Sequence, residues 1–373
     1  MNTLMISTDL KLFEPNSDVA ARMLLYAKQL EHLSIIVFST SGLKKTFLSD
    51  KVTVIPTNSV APASYVFDAV KLGKKIIAQQ KIEVITCQDP FLTGLVGWQL
   101  KKNLSVGLNI QLHGDFFSSS YYWRKGLSGF IRWLMAKKVL KAADSVRVVS
   151  QRIADSLIKK GIASEKIIVA PIYVDAQKFS QEPITVDLHQ EFPGKFVILF
   201  VGRLVKEKNL NLLIESVNHL VKNGQAVSLA IVGQGNQEDA LKSEVARLKL
   251  EDIVRFYGWR EDLGSFYKTA DVLAITSYVE GYNRTAIEAM SCGLPVIMAD
   301  VGLAEEIIKD QVNGLILKRA TAQELAEKIT LLIKDQNLNQ QLSANALTTA
   351  SSLPGQDEII SKIILSIKNA INI

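Results

Sequence analysis

The sequence predicts an α/β protein built from two doubly wound, Rossmann-like domains that face each other across a cleft. Strand-like runs rich in β-branched residues alternate with segments of helical periodicity along the whole chain. Some strand candidates, such as Phe196–Val201, are continuous apolar runs, which suit parallel strands covered on both faces by helices. The length of 373 residues favours two domains of this kind.

Strand and helix candidates alternate in the first half of the chain, which predicts parallel strands joined by right-handed crossovers. The predicted strands cover 2–8, 33–40, 51–57, 81–88, 105–112, 145–150 and 166–170. Helices with apolar residues three and four positions apart are predicted over 18–31 and 64–79. These elements form a predicted first domain over residues 1–175.

The second half repeats the same alternation. The predicted strands cover 196–201, 227–232, 253–257, 271–276, 295–299 and 314–317. The predicted helices cover 208–222, 236–248, 261–269, 284–291, 303–309, 321–335 and 337–350. A polar segment with two prolines, 173–195, predicts a linker before a second domain over 190–355. The isoleucine-rich segment 356–373 predicts a last helix that packs back on the first domain.

Composition excludes several classes of protein. With 48% hydrophobic and 21% charged residues, the chain is neither disordered nor collagen-like. Cys87 and Cys292 are the only cysteines, so a disulfide framework is excluded and a reducing cytosol is favoured. No apolar run approaches the ~18 residues of a membrane-spanning helix, and no cationic leader precedes the first strand. We therefore expect a cytoplasmic protein without a membrane span.

Charge is distributed unevenly, which indicates different partners for the two halves. Residues 1–170 carry 23 basic and 12 acidic side chains, whereas residues 171–373 carry 20 and 25, within a net charge of +6. Basic and aromatic residues cluster in 121–141. On a helical period Phe130, Ile131, Leu134, Met135 and Leu140 share an apolar side there. Peripheral contact with an anionic membrane, a helix packed on the sheet, and nucleic-acid binding all fit this pattern, although no nucleic-acid motif is present.

Ligands of open α/β sheets bind beyond the carboxyl ends of the strands, so polar motifs in those positions are candidate site residues. Gly202, Arg203 and Lys208 follow the strand 196–201. The glycine permits close backbone approach, and the two cations suit a diphosphate. An exposed charged turn is the alternative.

Gly233 and Gly235 follow the next strand, but the third glycine of a dinucleotide motif is missing, which favours a tight turn over an NAD site.

The segment 276–295 carries the most informative motif. Glu280 lies in the predicted loop after a strand, Gly281 permits close backbone approach, and a helix is predicted from Arg284. The free amides at the start of that helix, around Asn283 and Thr285, suit a phosphate. Glu280 and Glu288 suit two hydroxyl-bearing groups, a sugar and a ribose, on either side of the phosphate. The alternative is a capping glutamate and an exposed helical one.

His113 ends the predicted strand 105–112, where it would contact a reacting sugar or serve a structural role. Taken together and in this order, the motifs resemble those of the retaining family-4 glycosyltransferases (glycosyl transferases group 1) of the GT-B fold. The resemblance is strong over 196–318 and diffuse over the first half. The matching residues are Gly202, Arg203, Lys208, Gly233, Gly235, Phe256-Tyr257-Gly258-Trp259, Ala270-Asp271, the pair Glu280 and Glu288, and Cys292-Gly293-Leu294-Pro295-Val296.

The resemblance implies a nucleotide-diphosphate sugar donor, a UDP- or GDP-sugar, and a hexosyltransferase-type reaction. Arg203 and Lys208 would neutralise the diphosphate, Glu288 would bind the ribose, and Glu280 and His113 would contact the donor sugar. The backbone of Gly281, Tyr282 and Asn283 would contact the sugar and phosphate, with Arg284 and Thr285 beside them.

The resemblance further implies retention of anomeric configuration, with no metal and no cofactor. The implied acceptor is a glycan or a lipid-linked molecule in the synthesis of cell-envelope polysaccharide or glycolipid. We expect this reaction at the cytoplasmic face of the membrane, with peripheral contact through the basic first domain and with no nucleic-acid partner.

One segment departs from the family pattern. The loop after the first strand, 9–18, contains no glycine, whereas the family commonly has a Gly-Gly loop there; Asn16 and Ser17 stand in it as small polar residues. A nucleotide-sugar epimerase of the same fold and a non-catalytic sugar-nucleotide-binding protein are the alternative functions.

Overall fold

The structure, a computed structural model, describes residues 1–40, 42–102, 104–117 and 126–371, without the side chain of Leu127. The chain divides into two compact units. Unit 1 contains Met1–Pro171 and the C-terminal segment from Gly355, and unit 2 contains Ile172–Pro354. The predicted fold class is confirmed, since each unit is an α/β structure around a mainly parallel sheet.

Unit 1 is built on a sheet in which strands follow the order β3-β4-β2-β1-β5-β6-β7-β8. The strands are β1 (Asn2–Ser7), β2 (His32–Val37), β3 (Thr46–Ser49), β4 (Val52–Pro56), β5 (Val84–Cys87), β6 (Gly107–Leu112), β7 (Ser145–Val148) and β8 (Ile167–Val169). Neighbouring strands are parallel except β3, which pairs antiparallel with β4 at one edge. Sequence analysis missed β3 because it is short and only partly buried.

Five α-helices of unit 1 precede β8 in the described residues. They are α1 (Asp18–Ala27), α2 (Tyr65–Gln79), α3 (Leu92–Lys101), α4 (Leu127–Ala142) and α5 (Gln151–Lys159). The loop 9–18, in which the family glycines are missing, is closed by side-chain caps. The Asp9 carboxylate accepts from Lys11 N at 3.1 Å, and the Ser17 hydroxyl accepts from Ala20 N at 3.2 Å. Ser17 therefore caps α1.

Unit 2 contains a fully parallel sheet with the order β11-β10-β9-β12-β13-β14. Its strands are β9 (Phe196–Val201), β10 (Val227–Val232), β11 (Val254–Gly258), β12 (Val272–Ile275), β13 (Val296–Ala299) and β14 (Leu315–Leu317). The chain moves outward from β9 to β11 and then returns to the other side of β9 with β12. The loops after β9 and β12 thus diverge at a topological switch point, where α/β sheets bind ligands.

Eight helices surround this sheet in the described residues of unit 2. They are α6 (Ala176–Gln181), α7 (Leu188–Glu191), α8 (Leu210–Lys222), α9 (Glu238–Arg247), α10 (Leu263–Thr269), α11 (Arg284–Ser291), α12 (Ala322–Lys334) and α13 (Gln336–Ser351). After unit 2 the chain returns to unit 1 as α14 (Gln356–Lys368), which packs against β7 and β8. Asn109 Nδ2 donates to the Ser366 carbonyl at 3.1 Å, so a buried polar contact joins α14 to the sheet.

Two predicted elements were wrong. The segment 173–195 is not an open linker, because α6 and α7 pack into unit 2 with Phe179 and Leu188 buried and with Asp175 and Asp187 as N-caps. The segment 303–309 is not a helix. Glu305 has a φ of +59°, and an isolated bridge joins Ala304 to Ile308, so the chain turns there instead.

The predicted apolar side of segment 121–141 was also wrong. Residues 121–125 lie outside the described part, and α4 starts at Leu127. Leu140 is buried, together with Ala136 and Val139, whereas Phe130, Ile131 and Leu134 are exposed on another side of the helix. None of the helices in the described ranges has the length and apolar character needed to cross a bilayer.

Candidate active site

An ion pair joins the two loops at the switch point of unit 2. Lys208 Nζ, in the loop after β9, lies 2.6 Å from Glu280 Oε1, in the loop after β12. The side chains are 21% and 11% exposed, so the pair is largely sheltered while solvent still reaches it. The structure thereby brings together two residues that the sequence predicted for donor binding.

Short hydrogen bonds hold these loops in register. The Thr276 hydroxyl donates to the Lys208 carbonyl at 3.0 Å, and Tyr278 N donates to the Glu207 carbonyl at 2.9 Å. The Ser277 hydroxyl donates to Glu280 Oε1 at 2.6 Å. Within the described residues, Lys208 and Ser277 both use Oε1, and Oε2 accepts no hydrogen bond. That second oxygen remains available to a hydroxyl of a bound molecule.

Gly233 allows the loops after β9 and β10 to pack against each other. Its φ is +134°, and a Cβ there would lie 1.9 Å from the Gly202 carbonyl oxygen. Gly202 N in turn donates to the Val232 carbonyl at 3.0 Å. Gly233 therefore has a packing role in the structure, while its predicted contact with a donor stays a prediction. Arg203, between these contacts, is exposed.

The N-terminus of α11 is capped by Asn283. This residue has a φ of +71°, and its Oδ1 accepts from Ala286 N at 3.3 Å and from the Thr285 hydroxyl at 2.6 Å. The backbone N–H groups of Gly281, Tyr282, Arg284 and Thr285 donate no hydrogen bond in the part of the chain that the structure describes. Such unpaired amides at a helix start attract an anion.

Glu288 is buried one turn into α11, so the alternative of an exposed helical glutamate was wrong. Its Oε2 accepts a hydrogen bond from the Tyr267 hydroxyl at 2.8 Å, and its Oε1 lies 3.4 Å from Arg284 Nη2. Burial raises the pKa of the Glu288 carboxyl above its ordinary value, an effect that Arg284 and the Tyr267 hydrogen bond oppose. The predicted neighbour of the phosphate, Arg284, thus contacts Glu288 in this structure.

His113 follows β6 in unit 1, whereas the other candidate residues belong to unit 2. His113 is exposed in this structure, although desolvation is the largest influence on the pKa of its ring. Desolvation first, and then the charges of Arg147 and Arg22, lower the pKa of His113 to about 3. Since desolvation and both cations lower this pKa, the imidazole is neutral near pH 7.

Sequence analysis missed three residues that support the predicted ones. Tyr267, Ser277 and Gly302 bear on Glu288 or Glu280: the first two donate hydrogen bonds, and a Cβ at Gly302 would lie 2.8 Å from Glu280 Cβ. Ser277 directly follows the predicted strand 271–276, and that position was a signal for it. No spacing signal connects Tyr267 or Gly302 to the motif, because tertiary folding alone brings them there.

Two family models match most of the chain. The model for glycosyl transferases group 1 matches residues 186–349, and the model for glycosyltransferase family 4 matches residues 20–178. The first match covers every candidate residue of unit 2, and the second covers His113. Both matches name the same class of enzyme.

Individual relatives point to the same class. The chain is 27% identical to the capsular polysaccharide biosynthesis glycosyltransferase CapM of Staphylococcus aureus, over 59% of this chain and 60% of that protein. It is 25% identical to an Escherichia coli UDP-Gal:alpha-D-GlcNAc-diphosphoundecaprenol alpha-1,3-galactosyltransferase, over 71% and 70%. Among solved structures, Anabaena HepE in complex with UDP aligns over 99% of this chain and 100% of that chain, with a TM-score of 0.77 and 22% identity.

Proposed function

Because the chain belongs to the family-4 glycosyltransferases of the GT-B fold, we propose that it transfers a hexosyl group from a UDP- or GDP-sugar to a hydroxyl of a lipid-linked or glycan acceptor, with retention. The family match and the relatives make it a glycosyltransferase that uses nucleotide sugars and is related to enzymes of cell-envelope polysaccharide synthesis. The sheltered Lys208–Glu280 pair at the switch point is the observation that carries the proposal.

In the proposed complex, the donor diphosphate binds between Lys208 and the unpaired amides at the start of α11. The ammonium group and the oriented N–H groups stabilise the charge that develops as the nucleoside diphosphate departs. Arg203, exposed in the same loop as Lys208, adds a second cation. No metal is required by this scheme, because fixed cations and amides take the place of a divalent ion.

The two glutamates bind different uncharged parts of the donor, Glu280 the transferred sugar and Glu288 the ribose. Glu280 offers Oε2 to a sugar hydroxyl while Lys208 and Ser277 hold Oε1. Glu288, oriented by Tyr267, accepts from the ribose hydroxyls. The family resemblance assigns His113 to a sugar contact, which the neutral ring would make without adding charge.

Retention follows from attack on the face that the leaving group occupies. The bond between the anomeric carbon and the phosphate oxygen breaks, the acceptor oxygen forms its bond to that carbon, and the acceptor proton passes to the departing phosphate oxygen. The intermediate sugar has oxocarbenium character. This route needs no protein nucleophile, and it places the catalytic demand on leaving-group stabilisation.

The acceptor side is proposed from unit 1. Its excess of basic residues matches an anionic acceptor such as a prenyl diphosphate glycan, and it favours peripheral contact with the cytoplasmic face of a membrane. The printed name of the Escherichia coli relative, which specifies a diphosphoundecaprenol acceptor for that enzyme, supports the same class.

The test is transfer from a panel of UDP- and GDP-sugars to a prenyl diphosphate glycan, in the presence and absence of EDTA. We expect turnover with one donor, retained anomeric configuration in the product, and no loss with EDTA. Lys208→Ala and Glu288→Ala should both lose most turnover. Full turnover in both variants contradicts the site assignment, and epimerised donor formed without acceptor contradicts the transferase assignment.

A further inference from the structure

The helix α4 carries apolar side chains on two faces. Ala136, Val139 and Leu140 are buried in unit 1. On another face, Phe130, Ile131 and Leu134 are 47%, 54% and 46% exposed. A helix that only packs on a sheet would place polar residues on that outward face. Three large apolar side chains within two turns instead form an exposed patch of the kind that marks an interaction surface.

The outward face of α4 changes character along the helix axis. Its apolar residues lie in the first two turns, whereas Lys137, Lys138 and Lys141 lie in the last two. The rise of ~1.5 Å per residue separates Ile131 from Lys141 by about 15 Å. The face therefore has an apolar end and a cationic end, and it is not apolar along its whole length.

The neighbouring helix α3 also has an exposed apolar residue at its start and a lysine after its end. Leu92, 44% exposed, starts α3, and Lys102 follows its end. Lys102 Nζ and Lys138 Nζ lie 4.3 and 4.6 Å from the ring centroid of Trp98, so the cationic ends of α3 and α4 meet over one indole. Aromatic rings beside lysines are typical of protein surfaces at the headgroup level of a bilayer.

The apolar ends of α3 and α4 lie at the carboxyl ends of the parallel strands of unit 1. The candidate site residue His113 lies at the same end of the sheet. The helix α3 follows β5 and α4 follows β6, so both helices start near the carboxyl ends of these parallel strands. His113 also follows β6. The cationic ends of α3 and α4 lie toward the amino ends of the strands, where β7 starts.

We propose that the outward faces of α3 and α4 dock tilted on an anionic bilayer, with Leu92, Phe130, Ile131 and Leu134 inserted and Lys102, Lys138 and Lys141 at the headgroups. The identity of this partner rests on the proposed function, since a lipid-linked acceptor would present its diphosphate at such a surface. The inserted ends of the helices lie at the carboxyl ends of the strands, where His113 lies. Docking therefore brings this end of the sheet of unit 1 to the membrane. Anionic lipid is the occupant that the lysines select.

The first experiment is co-sedimentation of the full chain with vesicles of phosphatidylcholine, alone or mixed with phosphatidylglycerol. We expect binding to the mixed vesicles that weakens at high salt, because headgroup charges are then screened. Triple replacement of Phe130, Ile131 and Leu134 by Ser, and the pair Lys138→Glu with Lys141→Glu, should each weaken binding at least about tenfold.

Matched controls lie on α2 in the same unit. Phe67→Ser removes an apolar side chain that is 72% exposed, and Lys71→Glu with Lys75→Glu makes the same change in net charge. Both controls should bind vesicles as the wild type does. Equal losses in the controls, or no vesicle binding by the wild type, would overturn the proposal. So would a change from dimer to monomer in the triple variant with vesicle binding retained, since a second copy would then cover the patch.

Tilt is tested with an environment-sensitive fluorophore on Ile131→Cys or on Lys141→Cys. Cys87 is buried, and burial raises the pKa of the Cys292 thiol to about 11, so the introduced cysteine reacts first. Vesicles should shift the emission of the label at 131 to the blue and leave the label at 141 nearly unchanged. Equal shifts at both positions contradict tilted docking.

Nucleoside diphosphate binding separates this proposal from the proposed function. The face variants should bind UDP or GDP as the wild type does, because their changes lie in unit 1, whereas the Lys208–Glu280 pair belongs to unit 2. If the wild type binds neither nucleotide, the proposed function fails whatever the vesicle result. If nucleotide binding is normal and the face variants still sediment with vesicles, only the docking proposal fails.

Discussion

The Tyr267 hydroxyl donates a hydrogen bond of 2.8 Å to the buried carboxylate of Glu288. Tyr267→Phe removes the donor to Glu288 Oε2 and leaves only the Arg284 contact at Oε1, so we expect a loss of about 1–3 kcal/mol in the free energy of unfolding and weaker donor binding. Urea unfolding and calorimetric titration with UDP or GDP measure both effects. Tyr257→Phe is the matched control. It removes a 2.6 Å hydrogen bond to Glu191, outside the candidate site, and should lower stability without changing nucleotide affinity.

The buried Glu288 also predicts a pH dependence of stability. Burial raises the pKa of its carboxyl, so above the unfolded value the folded chain binds more protons at this group than the unfolded chain does. The contribution of Glu288 to stability therefore becomes less favourable as pH rises through its raised pKa. Glu288→Gln should gain stability relative to the wild type between mildly acidic and neutral pH, as measured by urea unfolding. A constant difference across this range would show that burial does not raise the pKa of Glu288.

The lowered pKa of His113 predicts a pH dependence of stability opposite in direction to that of Glu288. With the folded value lowered to about 3, the unfolded chain binds the proton first as pH falls below the ordinary histidine value. His113 therefore contributes stability that is present above that value and is lost as pH falls toward 3. The imidazole C2 proton should keep a constant NMR shift between neutral pH and pH 5. A titration in that range, absent from His113→Gln, would contradict a neutral His113.

Gly233→Ala tests the packing of the loops after β9 and β10. The new methyl group would lie 1.9 Å from the Gly202 carbonyl oxygen, and the backbone has a φ of +134°. We expect a loss of at least about 3 kcal/mol in unfolding free energy. Gly224→Ala is the control, since its φ is +74° but no atom lies within 4 Å of the added Cβ. It should cost about 1 kcal/mol, and equal losses would show that the close approach is not real.

Much of this architecture was predictable because local patterns determine it. Apolar runs such as Phe196–Val201 located the strands of both sheets, and a glycine or polar residue directly after a strand located the loops at the switch point. Local patterns failed where tertiary contacts decide. Leu140 and Phe130 are both apolar, and only packing on unit 1 separates the buried one from the exposed one. Segment 173–195 is polar on average, yet Phe179 and Leu188 fix it to unit 2.

The candidate site followed the same division. The spacing of Glu280 and Glu288 and the cations after β9 were visible in the sequence. The ion pair of Lys208 with Glu280 was not, since it depends on the strand order that places β12 beside β9. The partner of Glu288 was equally hidden, because Tyr267 lies on a different helix and reaches the carboxylate only in the folded chain.

The central claim is that a donor diphosphate binds at Lys208, and calorimetric titration of Lys208→Met with UDP, GDP and ADP tests it most directly. Lys206→Met, an exposed lysine in the same loop, is the control. We predict that one nucleotide binds the wild type and the control equally and binds Lys208→Met at least about tenfold more weakly, since a charge-assisted contact to phosphate is lost. Equal affinity in all three proteins would contradict the account.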